Sequence, residues 1–201
     1  MSGVEYVRGD ALGDAEALAA TLRGAAAVVS CIGGFGDNEQ MRRVNGAANE
    51  AAVAAARAAN VPRFVFISVH RYNIPDAITD AIGYFAGKRA AEKAVLREFG
   101  ANGAVLQPGF IHGPRLVNGV TLPLDTVGAP LEKALRAAQS GPLAPLLRFA
   151  QALPASDALL APPIAVADVA AAAVRCATEA EASGIYDIDG IVALAQAHAA
   201  A

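Results

Sequence analysis

The chain has 201 residues, 55% of them hydrophobic and 17% charged, with a formal net charge of −3. That is enough apolar material for one packed domain and too much for a disordered chain. It provides no basic surface for nucleic acid, and no apolar run nears the ~18 residues a membrane span needs. Two cysteines, Cys31 and Cys176, and three histidines in separate segments supply neither a disulfide framework nor a metal motif.

The N-terminal Met-Ser-Gly-Val-Glu-Tyr-Val reads as the approach to a strand, not as a signal or transit peptide. Val4–Val7 predicts a short strand ending at Arg8-Gly9-Asp10. Asp14 caps a helix to about Arg23, with Gly24 as its stop. Ala25–Ile32 predicts a buried strand, and Gly33-Gly34-Phe35-Gly36 a loop. Asp37 or Asn38 opens a long helix to about Ala59, whose alanines allow close approach to a sheet. Pro62 ends it.

Arg63–Val69 is the next strand, followed by a polar loop over His70–Thr79. A helix opening near Asp80 runs to about Phe99 and carries Tyr84 and Lys88. Gly103–Gln107 is another strand, closed by Pro108-Gly109. Beyond it the alternation loosens. Residues 115–125 read as loop, and Val127–Ser140 and Leu143–Leu153 as short helices of a small substrate-side cap at about 115–160. Ile164–Val166 and Ile185–Ile188 are short strands. Asp168 caps an Ala-rich helix to about Thr178, and Ile191–Ala199 is the last helix. The alternation predicts an α/β fold, with a mostly parallel sheet and helices on both faces.

Tyr84 and Lys88 are four residues apart and share a helix face. An ammonium beside a phenol stabilises the phenolate and brings its pKa down towards neutral pH, making it a usable acid and base. Ser68 closes the preceding strand, where α/β sheets place their chemistry, and could bond a substrate carbonyl. Each residue also has a plainer reading. Tyr84 could be a half-buried aromatic, Lys88 a solvent-facing i,i+4 partner of Glu92, and Ser68 a hydroxyl bonded to backbone.

The serine and Tyr84-Phe-Ala-Gly-Lys88 pattern resembles the short-chain dehydrogenase/reductase superfamily. Glu92 extends it to Tyr-x-x-x-Lys-x-x-x-Glu, as in the extended and atypical branches. Gln107-Pro108-Gly109-Phe110-Ile111-His112-Gly113-Pro114 is similar to their Arg-Pro-Gly-x-x-Tyr-Gly-Pro segment. Pro162 through Ala170 is similar to their late Pro-Pro segment. Within those branches the likeness is to the NAD(P)-binding accessory subunit of respiratory complex I and to epimerase-like proteins of mitochondria and plastids linked to quinone metabolism.

The resemblance implies a Rossmann-like NAD(P)(H)-binding domain over residues 1–201. Tyr84, Lys88 and Ser68 would be catalytic. Asp10, Gly33, Gly34, Lys88, Pro108 and Gly109 would lie along the cofactor, with Asp10 at the adenine amino group. Asp10 in a turn and the glycines in a simple loop are the alternatives. Asn45 would be a structural or relay position, and Cys31 core packing. His112 would lie at the nicotinamide end or in loop, with His70 and Arg71 near the substrate. The substrate would be a small carbonyl or hydroxyl compound or a quinone, and the location a mitochondrion or chloroplast.

The Gly-x-Gly-x-x-Gly turn that opens such folds is missing, and Gly33-Gly34-Phe35-Gly36 has the wrong spacing. Val4–Val7 then corresponds to the family's third strand, and the chain begins two strands and a helix late: it reads either as a truncated piece of a longer enzyme-like protein or as a short relative that has lost cofactor binding with the Gly-rich loop. That third strand would either hang loosely or pair with the fourth, giving a 3-4-5-6 sheet with an open edge. Three functions stay open: an oxidoreductase or epimerase-like enzyme, a non-catalytic accessory or assembly subunit, or a fragment inactive alone that self-associates through its edge.

Overall fold

A computed structural model of the chain describes residues 3–117, 120–141, 144, 150, 153 and 156–199. Its centre is a four-stranded parallel sheet of β1 (Val28–Ser30), β2 (Phe64–Ile67), β3 (Gly103–Leu106) and β8 (Gly184–Tyr186), in the order β1-β2-β3-β8. The helices are α1 (Ala15–Leu22), α2 (Asn38–Arg42), α3 (Ala48–Ala58), α4 (Asp76–Ala81), α5 (Gly83–Phe99), α6 (Asp125–Ser140), α7 (Asp157–Leu160), α8 (Val166–Thr178) and α9 (Ile188–Ala199). β4 (Ile111–His112) pairs in parallel with β7 (Ile164–Ala165), and β5 (Pro114–Val117) pairs antiparallel with β6 (Val120–Pro123).

Strand alternation divides the core. Phe64 and Phe66 of β2 and Val105 of β3 face α3 and α5, packing on Ala52, Val53, Ala56, Ala91, Val95 and Phe99. Val65, Ala104 and Leu106 face the other way, against Ala172, Ala173 and Cys176 of α8 and Ile188 and Ile191 of α9. Each fully buried large side chain contributes about 1.5–3 kcal/mol, so the two phenylalanines of a four-residue strand anchor one whole layer. Arg63, just before β2, is buried. Its Nε donates to the carbonyl of Cys176 at 2.9 Å and a terminal nitrogen to that of Ala182 at 3.3 Å. It thereby serves the C-terminal end of α8, where a cation is favoured.

The predicted order of strands and helices holds, with five corrections. Asp168 does not cap α8, which opens earlier, at Val166 after Ala165, and leaves Asp168 inside its first turn. Val4–Val7 forms no strand; Val4, Tyr6 and Val7 are exposed and lack a ladder partner, so β1 is the sheet edge among the described residues. The long second helix spans its predicted range without a gap but winds through a π-helical turn, Arg43–Ala47, between α2 and α3. The Tyr84 helix starts after a break at Ile82, whose extended backbone separates α4 from α5. Residues 115–125, predicted as loop, include the β5–β6 pair. Most of the predicted helix at 143–153, and with it part of the predicted cap, lies outside the described residues.

Asp14 and Asp37 cap α1 and α2 as predicted. Their carboxylates accept from the N–H groups of Ala17 and Gln40.

Candidate active site

Parallel strands end on one edge, and the loops after β1, β2 and β3 meet there. They bring Gly33 and Gly34, Ser68, and Pro108 and Gly109 together, with the N-terminal turns of α5 lying across them. Ser68, Tyr84, Pro108 and Gly109 line one cavity of about 540 Å³, walled mainly by Phe35, Met41, Tyr72, Phe85 and Phe110.

Lys88 is buried, at 4% exposure. Its Nζ donates to the carbonyls of Ile67 at 2.8 Å and Ile32 at 3.2 Å, at the ends of β2 and β1, and lies 4.7 Å from the centre of the Phe66 ring. Burial lowers its pKa to about 8. The solvent-facing pair with Glu92 does not form. Glu92 is buried as well; it accepts from Ser68 Oγ, from Gln107 Nε2 at 3.0 Å and from Arg89 at 2.9 Å.

Tyr84 departs from expectation in its electrostatics. Its ring stacks on Phe35, centroids 5.1 Å apart and planes 10° from parallel, and meets Phe85 edge-on. Burial raises the phenol pKa. The predicted lowering by Lys88 is absent because the ammonium is drawn to the two strand-end carbonyls.

The glycine loop is held by a side chain from the π-helical turn, itself braced by Asn49 of α3. Buried Asn45 accepts from the Gly34 N–H at 3.2 Å and donates to its carbonyl at 2.8 Å, and also to that of Met41 at 2.9 Å. Asn49 accepts from Ser30 Oγ at 2.6 Å and donates to the Asn45 carbonyl at 3.0 Å. A Cβ at Gly33 would stand 3.0 Å from Asn45 Oδ1 and 3.3 Å from Lys88 Nζ, so this position takes only glycine without a shift. Asn45 is therefore structural in this arrangement. A π turn is a common device at functional sites because it re-aims side chains within a helix.

Asp10 lies apart from Tyr84, at a second cavity of about 420 Å³ shared with Arg8, Thr21 and Ile32. Its carboxylate accepts from the Leu12 N–H at 2.9 Å, closing its own turn. Cys31, just after the edge strand β1, is exposed and not core. His70 packs edge-on against Tyr72 and faces Asp157 at 3.6 Å; burial lowers its pKa. His112 is buried in β4, not in loop. Its Nε2 bonds Glu132 of α6 at 2.8 Å, and Glu132 also accepts from Arg136 at 3.0 Å.

Sequence reasoning missed Tyr72, Phe35 and Asn49. Asn45 and Asn49 stand at i,i+4, a spacing that puts two amides on one helix face, and that signal was available.

Residues 1–126 match the model of a family described as NAD(P)H-binding. The chain belongs to this NAD(P)H-binding family. It is also similar to an uncharacterized chloroplastic protein of Arabidopsis thaliana, 49% identical over 170 residues. That match covers 85% of the chain and 55% of the relative, so the chain spans about half the length of this curated relative. Among solved structures, the Bordetella bronchiseptica enzyme WbmG in complex with NAD matches with a TM-score of 0.60 at 17% identity, over 93% of this chain and 58% of that one. The UDP-N-acetylglucosamine 4-epimerase of Bacillus cereus matches at 0.57 and 15%, over 94% and 65%. At such identities these structures establish the Rossmann-like fold. Together the findings show an NAD(P)H-binding chain with a Rossmann-like fold.

Proposed function

We propose that this NAD(P)H-binding chain belongs to an oxidoreductase or epimerase-like protein that interconverts a carbonyl and a hydroxyl at the Ser68–Tyr84 cavity. The observation that carries the reading is the convergence of Ser68, Tyr84 and Pro108-Gly109 on one cavity, with Lys88 fixed against Gly33 beside it. The residues fit the ribose and nicotinamide end of the cofactor. The Gly33 backbone is bare of Cβ where Asn45 and Lys88 press on it, and two of the three Lys88 N–H bonds go to carbonyls. Asp10 and the second cavity are the proposed adenine end. No Gly-x-Gly-x-x-Gly turn is present for the diphosphate.

When bound, the nicotinamide supplies hydride chemistry at the substrate carbon. Tyr84, held protonated by its raised pKa, donates a proton to the substrate oxygen, and Ser68, whose own proton goes to Glu92, accepts from the hydroxyl so formed. A quinone-type substrate and a plastid location are finer proposals, the second resting on the name of the Arabidopsis relative. Among the described residues no helix is long and apolar enough to cross a membrane.

A second reading, a non-catalytic accessory or assembly subunit, draws on the same Tyr84. Its phenol is not activated by Lys88, and β1 leaves an edge for a partner or a second copy.

The test is nicotinamide oxidation or reduction against a panel of carbonyls, alcohols and quinones, comparing the chain with Tyr84→Phe. Turnover lost in the variant, with unchanged nucleotide affinity and unfolding curve, is the expected result. Equal turnover in both overturns the catalytic assignment. Tight nucleotide binding with no turnover in either selects the accessory reading.

A further inference from the structure

We infer that the Tyr84 cavity takes a neutral, flat ring that carries the reacting oxygen, in preference to a charged or sugar-like substrate. The inference rests on the catalytic reading for its location and goes beyond it in naming the substrate class.

The lining residues decide the chemistry. Among the described residues, no Asp, Glu, Lys or Arg lines the cavity; its polar side chains are the hydroxyls of Ser68, Tyr72 and Tyr84. A diphosphate or carboxylate brought there would lose water and meet no cation, at a large desolvation cost. A neutral ring with one or two oxygens meets apolar walls and hydroxyl partners, the usual composition of a small-molecule site.

The rings decide the shape. Tyr84, Phe85 and Tyr72 form a continuous cluster, joined edge-on at 5.4 Å and 6.1 Å between centroids. Phe110, on the loop after β3, stands at the same cavity. It is 55% exposed and has no ring partner among the described residues. An exposed, unpaired aromatic lining the same cavity as an aromatic cluster is poorly explained by packing, because much of its apolar surface stays wet. A flat ligand ring held in this cavity would cover apolar surface of Phe110 and of the cluster together. Aromatic pairs of this kind add about two- to tenfold in affinity each beyond area burial.

The experiment is ligand-detected NMR titration of the chain without nucleotide, using acetophenone, acetylcyclohexane and UDP-N-acetylglucosamine. Acetophenone and acetylcyclohexane share the ketone and differ in planarity. The expected result is saturable acetophenone binding, several-fold tighter than acetylcyclohexane, with no binding of the sugar nucleotide at equal concentration. Phe110→Ala and Phe110→Leu, both at an exposed position, should each weaken acetophenone two- to tenfold while leaving the unfolding curve in place.

Equal affinity for the two ketones, displacement of acetophenone by the sugar nucleotide, or unchanged affinity in both Phe110 variants would overturn the inference. Its failure is separable from that of the proposed reaction. Acetophenone binding without any nicotinamide turnover removes the reaction and keeps the ring site. Turnover on carbonyls with no preference for flat rings does the reverse.

Discussion

Lys88 should leave a signature in the pH dependence of stability. Its folded pKa is about 8 against an ordinary value of 10.5, because the buried ammonium has lost water. The unfolded chain therefore binds the proton more tightly, and the folded state is penalised while the group is charged. The penalty is full below pH 8, shrinks as pH rises through 8, and vanishes above 10.5, so stability rises with pH across this window. Linkage arithmetic gives a gain of roughly 1.3 kcal/mol between pH 7 and pH 9. Cys176 works in the opposite direction. Burial holds its pKa near 11 against 9.0, so the unfolded chain loses its proton first, which removes roughly 0.4 kcal/mol by pH 9. These two groups together give a gain of about 0.9 kcal/mol, or about 2–4 °C in Tm for a chain of this size, which the raised pKa of the Cys31 thiol reduces. Urea unfolding followed by circular dichroism at pH 7, 8 and 9 measures it. Lys88→Met removes the rising component of Lys88, so stability of the variant should drift down over the same range, by roughly 0.4 kcal/mol from Cys176 with Cys31 adding in the same direction. Parallel pH profiles for the chain and the variant would refute a buried, charged Lys88.

Three further outcomes follow from the packing. Gly87→Ala places a Cβ 2.8 Å from the backbone nitrogen of Gly46 and 3.1 Å from Asn45, two backbones with no room to yield. Despite the better helix propensity of alanine, it should cost about 1–3 kcal/mol by denaturant midpoint. Asn45→Ala strips the Gly34 N–H and carbonyl and the Met41 carbonyl of their partner, and should cost about 1–3 kcal/mol and raise protease sensitivity in the 33–36 loop. Ser68→Ala leaves Glu92 bonded to Gln107 and Arg89, so it should cost only about 1 kcal/mol in stability while reducing any turnover.

The sheet was readable because its strands are short apolar runs closed by Gly, Pro or Ser, and because buried alanine helices punctuate them. Val28–Ser30, Phe64–Ile67 and Gly103–Leu106 fall inside their predicted spans. Val4–Val7 has the same local pattern yet forms no strand, because a strand needs a hydrogen-bonded neighbour and local sequence cannot supply one. The Tyr84 cavity followed from strand-end logic and family resemblance, which place Ser68 and Pro108-Gly109 on one edge. The partner of each polar group was not readable. Lys88 and Glu92 share a helical face and form an obvious pair on paper. In the fold, Lys88 meets two strand-end carbonyls, whereas Glu92 meets Ser68, Arg89 and Gln107 from three different elements. The π turn was hidden for a related reason. It depends on Asn45 reaching Gly34, a tertiary bond, and not on residue propensity.

The Ser68–Glu92 bond bears on the direction of the proposed chemistry. A serine hydroxyl has one proton, and a carboxylate can only accept, so Ser68 spends its proton on Glu92. Towards the cavity it offers lone pairs alone. It can then accept from a substrate hydroxyl or from the Tyr84 phenol, but cannot donate to a substrate carbonyl. The carbonyl donor must be Tyr84, which burial keeps protonated. The two residues thus have complementary roles: Tyr84 serves the carbonyl form and Ser68 the hydroxyl form. The resting site is set for protonation of a carbonyl oxygen. For the reverse direction Tyr84 must lose its proton, a step that the placement of Lys88 between two carbonyls does little to assist.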